Sequence, residues 1–421
     1  MAGLLATRVL SDRFERVTLV ERDSFPSVGE HRRGVPQGRH THGLLASGRQ
    51  VLDTLFPGIS EQLMDGGALQ GDVSDGCRWL FEGDRLKQSE IGIQGLLMTR
   101  PFLEGVVRER VLALANVERC DDAHVERLTT TADRGRVIGV EFANGNLPGD
   151  FVLDATGRGS RSPRWLEALG YPTPREERIE VELRYTTRFF RRSQDDLDGD
   201  VVVIMPPTPE GKRGGVMLAQ EGDRWTVTLI GHFGHHAPPD LQGFIDYAAT
   251  LPGSDIYELV RHAEPVGEAV TAKFPASLRR RYEELERFPE GYLVMGDAIS
   301  SFNPIYGQGM SSSALQALQL GNALDGRTTG VARDFFKRAS RVIDNPWSIA
   351  AGTDLRMPEA AGPRNATVGF VNWYMAKLHR AAHRDPELAK AFIRVANLLA
   401  PPPSVLHPKV AMRVMLGSLR S

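Results

Sequence analysis

The chain has 421 residues, enough for two domains with sizeable cores. Its 51 Lys and Arg nearly balance 53 Asp and Glu, a formal net charge of −2, which argues against a nucleic-acid protein driven by phosphate neutralisation. Cys77 and Cys120 make neither a disulfide framework nor a metal cluster, no apolar run approaches the ~20 residues of a membrane helix, and no charged leader with an apolar core opens the chain, so a reducing cytoplasm is the default compartment.

The first ten residues already carry a helical pattern, with Leu4, Leu5, Val9 and Leu10 as its apolar side. Residues 16–22 then read as a strand that closes on Glu21. In a dinucleotide-binding fold a glycine loop precedes the first helix, and an acid at the end of the second strand holds a ribose hydroxyl. Gly3 and Glu21 lie eighteen positions apart, close to the ~20 of that arrangement. Gly3 therefore reads as the last glycine of G-x-G-x-x-G and Glu21 as the ribose acid. The first strand and first two glycines of such a motif are not in this sequence. The expectation is a natural product starting about ten or more residues upstream; the alternative is a truncated protein that holds its dinucleotide poorly.

Residues 23–50 are broken into loops by Gly29, Gly34, Gly38 and Gly43. His40 and His42 have an H-x-H spacing, but no third ligand stands nearby, so no metal site is expected. Arg32, Arg33 and Arg39 read either as groups within reach of a ligand phosphate or as a solvated basic loop. Apolar spacing predicts a helix over 43–63, ending near Asp65-Gly66-Gly67. Trp79-Leu80-Phe81 and Leu96-Leu97-Met98 read as strands of a substrate layer. Thr99-Arg100-Pro101 opens a helix that runs through Val111. Two strands follow within 117–143, then a hairpin turn at Asn144-Gly145. Residues 150–154 form a strand that ends in the glycine turn Ala155-Thr156-Gly157-Arg158-Gly159-Ser160.

Between 175 and 290 the pattern changes to alternation. Residues 178–191, 201–205, 215–219 and 225–231 read as an antiparallel meander able to roof a pocket. Helices are predicted near 241–251 and 255–263, with His232, His235 and His236 in a polar loop and Arg279-Arg280-Arg281-Tyr282 as a solvated turn. Residues 291–321 then give a buried strand (Tyr292 to Met295), Gly296-Asp297 at its carboxyl end, a loop with Pro304 and Gly307-Gln308-Gly309, and a helix that Ser311, Ser312 and Ser313 can cap. That order puts a carboxylate beside a hydroxylated ligand and aims a helix N-terminus at negative charge. Beyond 330 the chain is helical: 334–342 leading to Asn345-Pro346-Trp347, then 368–379 and 386–399.

The sequence Gly296-Asp297, Pro304, Gly307-Gln308-Gly309, helix resembles the flavin-ribityl motif of FAD-dependent aromatic hydroxylases. With GVPQGRHTH, TRPFLEGVVRERV and DATGRGSR, the closest likeness is to the bacterial monooxygenase branch that contains polyether epoxidases. The resemblance implies an α/β fold: a doubly wound, Rossmann-like FAD domain (1–75, 98–170 and 286–345), an antiparallel-sheet substrate domain (76–97 and 171–285) and a C-terminal helical region (346–421). It implies FAD contacts from Gly3, Glu21, Arg22, Arg39, Arg100, Thr156, Gly157, Gly296, Asp297, Pro304, Gly307, Gln308, Gly309 and Met310, with Asp297 on a ribityl hydroxyl and the Gly307–Met310 backbone facing the flavin's pyrimidine edge. Thr156 stands where many hydroxylases carry Asp, which weakens any statement about nicotinamide binding. The implied reaction inserts one atom of O2 into an apolar organic substrate, by epoxidation or hydroxylation, through a flavin hydroperoxide. Electrons come from NADPH, NADH or a separate flavin reductase, and the cofactor rather than a side-chain acid or base carries the chemistry. Three alternatives stay open: a flavin-dependent reductase of isoprenoid-like double bonds, a flavin halogenase (disfavoured, since no W-x-W-x-I-P is present), and a truncated, non-catalytic relative.

Overall fold

The computed structural model describes residues 1–32, 34, 36–327, 329–364 and 366–417. Its centre is a set of short buried strands between helices. Val17–Val20 pairs in parallel with Val117–Cys120, and Val152–Asp154 pairs in parallel with Tyr292–Val294. Parallel strands covered on both faces need continuous apolar runs, and Tyr292, Leu293, Val294 and Met295 are all fully buried. Among the described residues the two pairs are not hydrogen-bonded to each other. The helix Gly309–Leu324 packs against Ala2–Ser11, Ala46–Leu55 and Val331–Asp354. Gly48 permits the closest of these approaches, since a Cβ there would sit 2.5 Å from Ser311 Oγ. Antiparallel strands Val125–Thr130, Val137–Phe142 and Gly145–Pro148 form a small separate sheet.

The second layer is an eight-stranded sheet. Its backbone is a pair of sixteen-residue strands, Glu176–Arg191 and Pro265–Arg280, followed outward by Arg224–His232, Arg213–Gln220, Val202–Met205 and Cys77–Phe81. The face carrying Ile179, Val181, Leu183 and Tyr185 joins the same core as the Tyr292 strand, while Val203, Met217, Trp225 and Val227 form a second core with Phe244 and Ile256. Helices Ala366–Ala382, Pro386–Ala396 and Pro408–Gly417 make a third cluster beyond the sheet edge.

Several expectations need correction. The helix over 43–63 is two helices, Ala46–Leu55 and Ile59–Asp65, because Pro57-Gly58 breaks it and Gly58 takes a left-handed φ of 78°. The strand Pro265–Arg280 escapes the periodicity reading, because its own run is irregular: four of its residues, Val270 to Val266, span the same step as two of its partner's, Thr187 to Phe189, while the partner carries an extra residue between Glu180 and Leu183. Arg279-Arg280-Arg281-Tyr282 is no solvated turn: Arg279 and Tyr282 are each 1 % exposed. Arg279 reaches Asp344 (2.7 Å) and Glu283 (3.2 Å), which offsets the cost of burying its charge. The helix Val331–Asp354 runs straight through Pro346, whose ring sits on the buried side with Ile343, Trp347 and Ala350.

Candidate functional site

Three backbone turns meet at one point. The first turn of Ala2–Ser11 abuts the other two: a Cβ on Gly3 would lie 3.6 Å from Ala155 Cβ, and one on Gly296 would lie 2.6 Å from Ala2 Cβ. Gly296 also has φ 71°, so both space and conformation demand glycine. Asp297 stands in the middle. Positions a Cβ would take on Gly157 and Gly309 are 4.0 Å from Asp297 Cβ and 3.9 Å from Asp297 Oδ1. Among the described residues this carboxylate has neither a hydrogen bond nor an ion pair. Burial raises its pKa, opposed by the charges of Arg100 and Arg158.

The turns are held from behind. Asp154 is not itself offered to a ligand: its Oδ1 accepts from Thr156 N (2.8 Å) and Thr156 Oγ1 (2.6 Å), and its Oδ2 accepts from Ser160 Oγ (2.6 Å) and from Ser162. Gly296 N donates to Gln316 Oε1 (2.8 Å) on the Gly309 helix. Arg280 ties two turns together, donating to Ala298 O (2.9 Å) and Arg158 O (3.4 Å) while pairing with Glu176 (2.9 Å). The three serines do not cap the helix as expected. Gln308 is its N-cap residue, with no side-chain cap. Ser311 Oγ instead accepts from Leu45 N (3.1 Å), Ser312 Oγ accepts from Gln316 Nε2 (3.3 Å), and Ser313 Oγ donates to Gly309 O (3.0 Å). The first-turn N–H groups of this helix thus have no side-chain partner from its N-cap. Gln308 Oε1 is buried without a partner, and Gly307 turns the chain with φ 65°.

A charge chain leads from Glu21 toward the site. Glu21 accepts from Arg22 N (2.9 Å) and Asp23 N (3.3 Å) and pairs with Arg32. Arg32 also binds Glu104 (2.9 Å), which in turn meets Arg100 (3.3 Å). Burial alone would raise the Glu104 pKa, but the neighbouring charges of Arg100 and Arg32 bring it below the usual carboxylate range. Arg100 Nη1 lies 3.2 Å from His42 Nε2, whose Nδ1 is 3.0 Å from His40 O. This assigns His42 the neutral tautomer with Nδ1–H donating; burial first, then Arg100, lowers its pKa to about 3. His40 is likewise kept neutral, at about 4, by burial and Arg39, and its Nδ1 meets Thr187 Oγ1 (2.8 Å) on the roofing sheet.

Of the sequence candidates, Gly3, Thr156, Gly157, Gly296, Asp297, Gly307, Gln308, Gly309, Met310 and Arg100 belong to or border this constellation, and Pro304 starts the short turn leading into it. Arg22 and Arg39 are exposed, and Arg33 lies outside the described residues. Arg280, Gln316 and Glu104 escaped the sequence reading. Glu104 had a signal: it sits with Leu103, Val107 and Val111 on the buried side of Arg100–Leu112, where a charge must have partners.

Also unforeseen is a buried cluster beside the Pro304 turn. Asp354 Oδ1 accepts from Asn303 Nδ2 (2.7 Å) and Tyr306 Oη (2.8 Å), while Oδ2 is buried without a partner. A cleft lined by Pro207, His232, Tyr306, Asp354 and Arg356 adjoins it. Burial raises the Asp354 pKa to about 7, against the hydrogen bonds of Tyr306, Asn303 and Ser277.

Protein Rv3254 of Mycobacterium tuberculosis is 33% identical over 422 residues, covering 95% of this chain and 88% of the relative. The chain belongs to the family of Protein Rv3254. No family model matches it. Among solved structures it is similar to the flavin-dependent brominase Bmp2 (13% identity, TM-score 0.68, 100% of this chain and 96% of that one). It is also similar to PqsL of Pseudomonas aeruginosa, described as an FAD-dependent monooxygenase (17% identity, TM-score 0.64, 84% and 94%). These likenesses establish the fold: this member of the Rv3254 family has the architecture of FAD-binding monooxygenases and halogenases, a mixed α/β chain with a large sheet over a dinucleotide-type layer.

Proposed function

We propose that the protein is an FAD-dependent monooxygenase that inserts one oxygen atom from O2 into an apolar organic substrate, by epoxidation or hydroxylation. The observation that carries this is Asp297: a half-buried carboxylate without a protein partner, set among three glycine turns at the mouth of a helix N-terminus. A buried acceptor left unmatched costs about 1–3 kcal/mol, so such a group calls for a donor from outside the fold. The residues present fit FAD. Asp297 would supply an acceptor for a ribityl hydroxyl, the Gly307-Gln308-Gly309 loop with Gln308 Oε1, partnerless among the described residues, would offer polar contacts, and Gly157 and Gly309 leave room for close backbone approach.

When bound, FAD supplies the activation of O2. This chain's residues then have four tasks. Asp297 and the Met310 turn orient the cofactor. Thr156, Gly157 and Pro304 would contribute further contacts to it. Arg100, held by Glu104 and neutral His42, would offer positive charge, with Glu21 and Arg22, and with Arg39 on the loop that leads into His40, as the further residues that would hold the cofactor. The roofing sheet, through Thr187 and Thr228, fixes His40 and so closes that loop against water. Electrons come from NADPH, NADH or a separate reductase.

Oxygen uptake coupled to product, without a halide requirement, distinguishes this reading from the halogenases that share the fold. A chain that reduces its substrate without consuming O2 would be a flavin-dependent reductase instead.

A further inference from the structure

Residues 361–421 contain nine Lys or Arg against two Asp or Glu, a formal +7 that leaves −9 on the rest of the chain. The same segment gathers the exposed apolar side chains. Of the nine large hydrophobic residues exposed among the described residues, seven lie between 370 and 416. On Ala366–Ala382 the inward side is Tyr374, Leu378, Ala381 and Ala382, whereas Phe370 (52 % exposed) and Trp373 (50 %) face solvent three positions apart. Lys377 continues that outer stripe one turn on, its Nζ 5.2 Å from the Trp373 ring centre. On Pro408–Gly417 only Val414 is buried. Met412, Met415 and Leu416, spaced i, i+3 and i+4, are between 51 % and 61 % exposed, with Lys409 in the same stripe. The two helices lie along each other: Tyr374 Oη donates to Val405 O (2.7 Å), and Gly417 rests on Ala381.

A helix that turns Trp, Phe, Met and Leu to solvent with Lys and Arg beside them has the composition of one that lies in a membrane interface. We propose that this helical layer is a docking surface for an anionic lipid bilayer, held by apolar insertion of Phe370, Trp373 and the Met412 stripe and by attraction of the segment's excess positive charge. Two alternatives fit less well. A two-fold dimer would set the lysines of the outer stripes, Lys377 and Lys409, against their own copies, and like charges across an interface oppose association. A spanning mode does not match either, as no helix among the described residues is long and apolar enough to cross a membrane. The docking does not depend on the reaction assigned above.

The test is co-sedimentation of the full chain with phosphatidylcholine vesicles with and without phosphatidylglycerol. Binding is expected to the anionic vesicles only, weakening by about ten-fold or more when salt rises from about 0.1 M to about 0.5 M. The surface double variant Phe370→Ser/Trp373→Ser should lose about ten-fold or more of that binding while unfolding at the parent temperature. Lys377→Glu/Lys409→Glu should lose the salt-sensitive part. Equal binding to neutral vesicles overturns the proposal. So does absence of vesicle binding, including the case where sedimentation velocity shows self-association abolished by Phe370→Ser/Trp373→Ser, which would make the partner a second copy.

Discussion

Asp297→Ala should move stability and cofactor affinity in opposite directions. In the free protein the carboxylate has no hydrogen-bond or ion-pair partner among the described residues, and burial disfavours its charged form. Relief of an unmatched acceptor lies within about 1–3 kcal/mol, and partial exposure places Asp297 at the low end. In a chain of this size a gain of about 1 kcal/mol raises the unfolding midpoint by about 1 °C. With FAD present, the same substitution removes a hydrogen bond to a charged acceptor, a loss of about 1.5–3 kcal/mol, or about ten- to 150-fold in dissociation constant. The assay pairs a thermal melt of flavin-free protein with an FAD titration followed by flavin fluorescence. A variant that melts lower than the parent and binds FAD equally well would make Asp297 a structural residue with partners in the fold, not a cofactor ligand.

Arg280→Met should cost about 3 kcal/mol in urea unfolding, since it frees the buried carbonyls of Ala298 and Arg158 together. It should also weaken FAD binding, because both turns shift; parent-like affinity would place Arg280 outside the site's support. Gly296→Ala should destabilise by about 1–3 kcal/mol, because φ 71° and the 2.6 Å approach to Ala2 Cβ both resist a side chain; a neutral result in the same urea assay would contradict the close packing. Asp354 has a folded-state pKa raised from 3.8 to about 7. Folding therefore takes up a proton in that window, and its contribution to stability falls as pH rises through it, by at most about 4 kcal/mol. Tyr306, His232 and Arg356 are the titratable or charged groups facing it. Asp354→Asn should flatten this slope and be relatively more stable at pH 8 than at pH 5.5, by about 2 kcal/mol; parallel stability curves would show that Asp354 does not titrate there.

The parts of the site written in local sequence were legible. Gly296-Asp297 after an unbroken apolar strand, the Thr99-Arg100-Pro101 helix start and the 154–160 turn each need only a few adjacent residues. What was illegible depends on distant partners. Arg280 looks like one of three solvated arginines until Glu176, Ala298 and Arg158 are brought around it, and the irregularity between Val266 and Val270 breaks the alternation of its own strand. The serines after Met310 resemble a cap in sequence, yet Ser312 and Ser313 bond within their own helix, to Gln316 and Gly309, and Ser311 accepts from Leu45 N, a partner that only the packed fold supplies. Asp354 gave no signal, because its neighbours Asn303 and Tyr306 lie about fifty positions away.

Whether FAD occupies the space around Asp297 is read from the visible absorbance spectrum of the protein after incubation with FAD and removal of free flavin. Flavin bands should be retained near one per chain in the parent and lost in Asp297→Ala. A colourless parent, or equal retention by the variant, would contradict that occupancy.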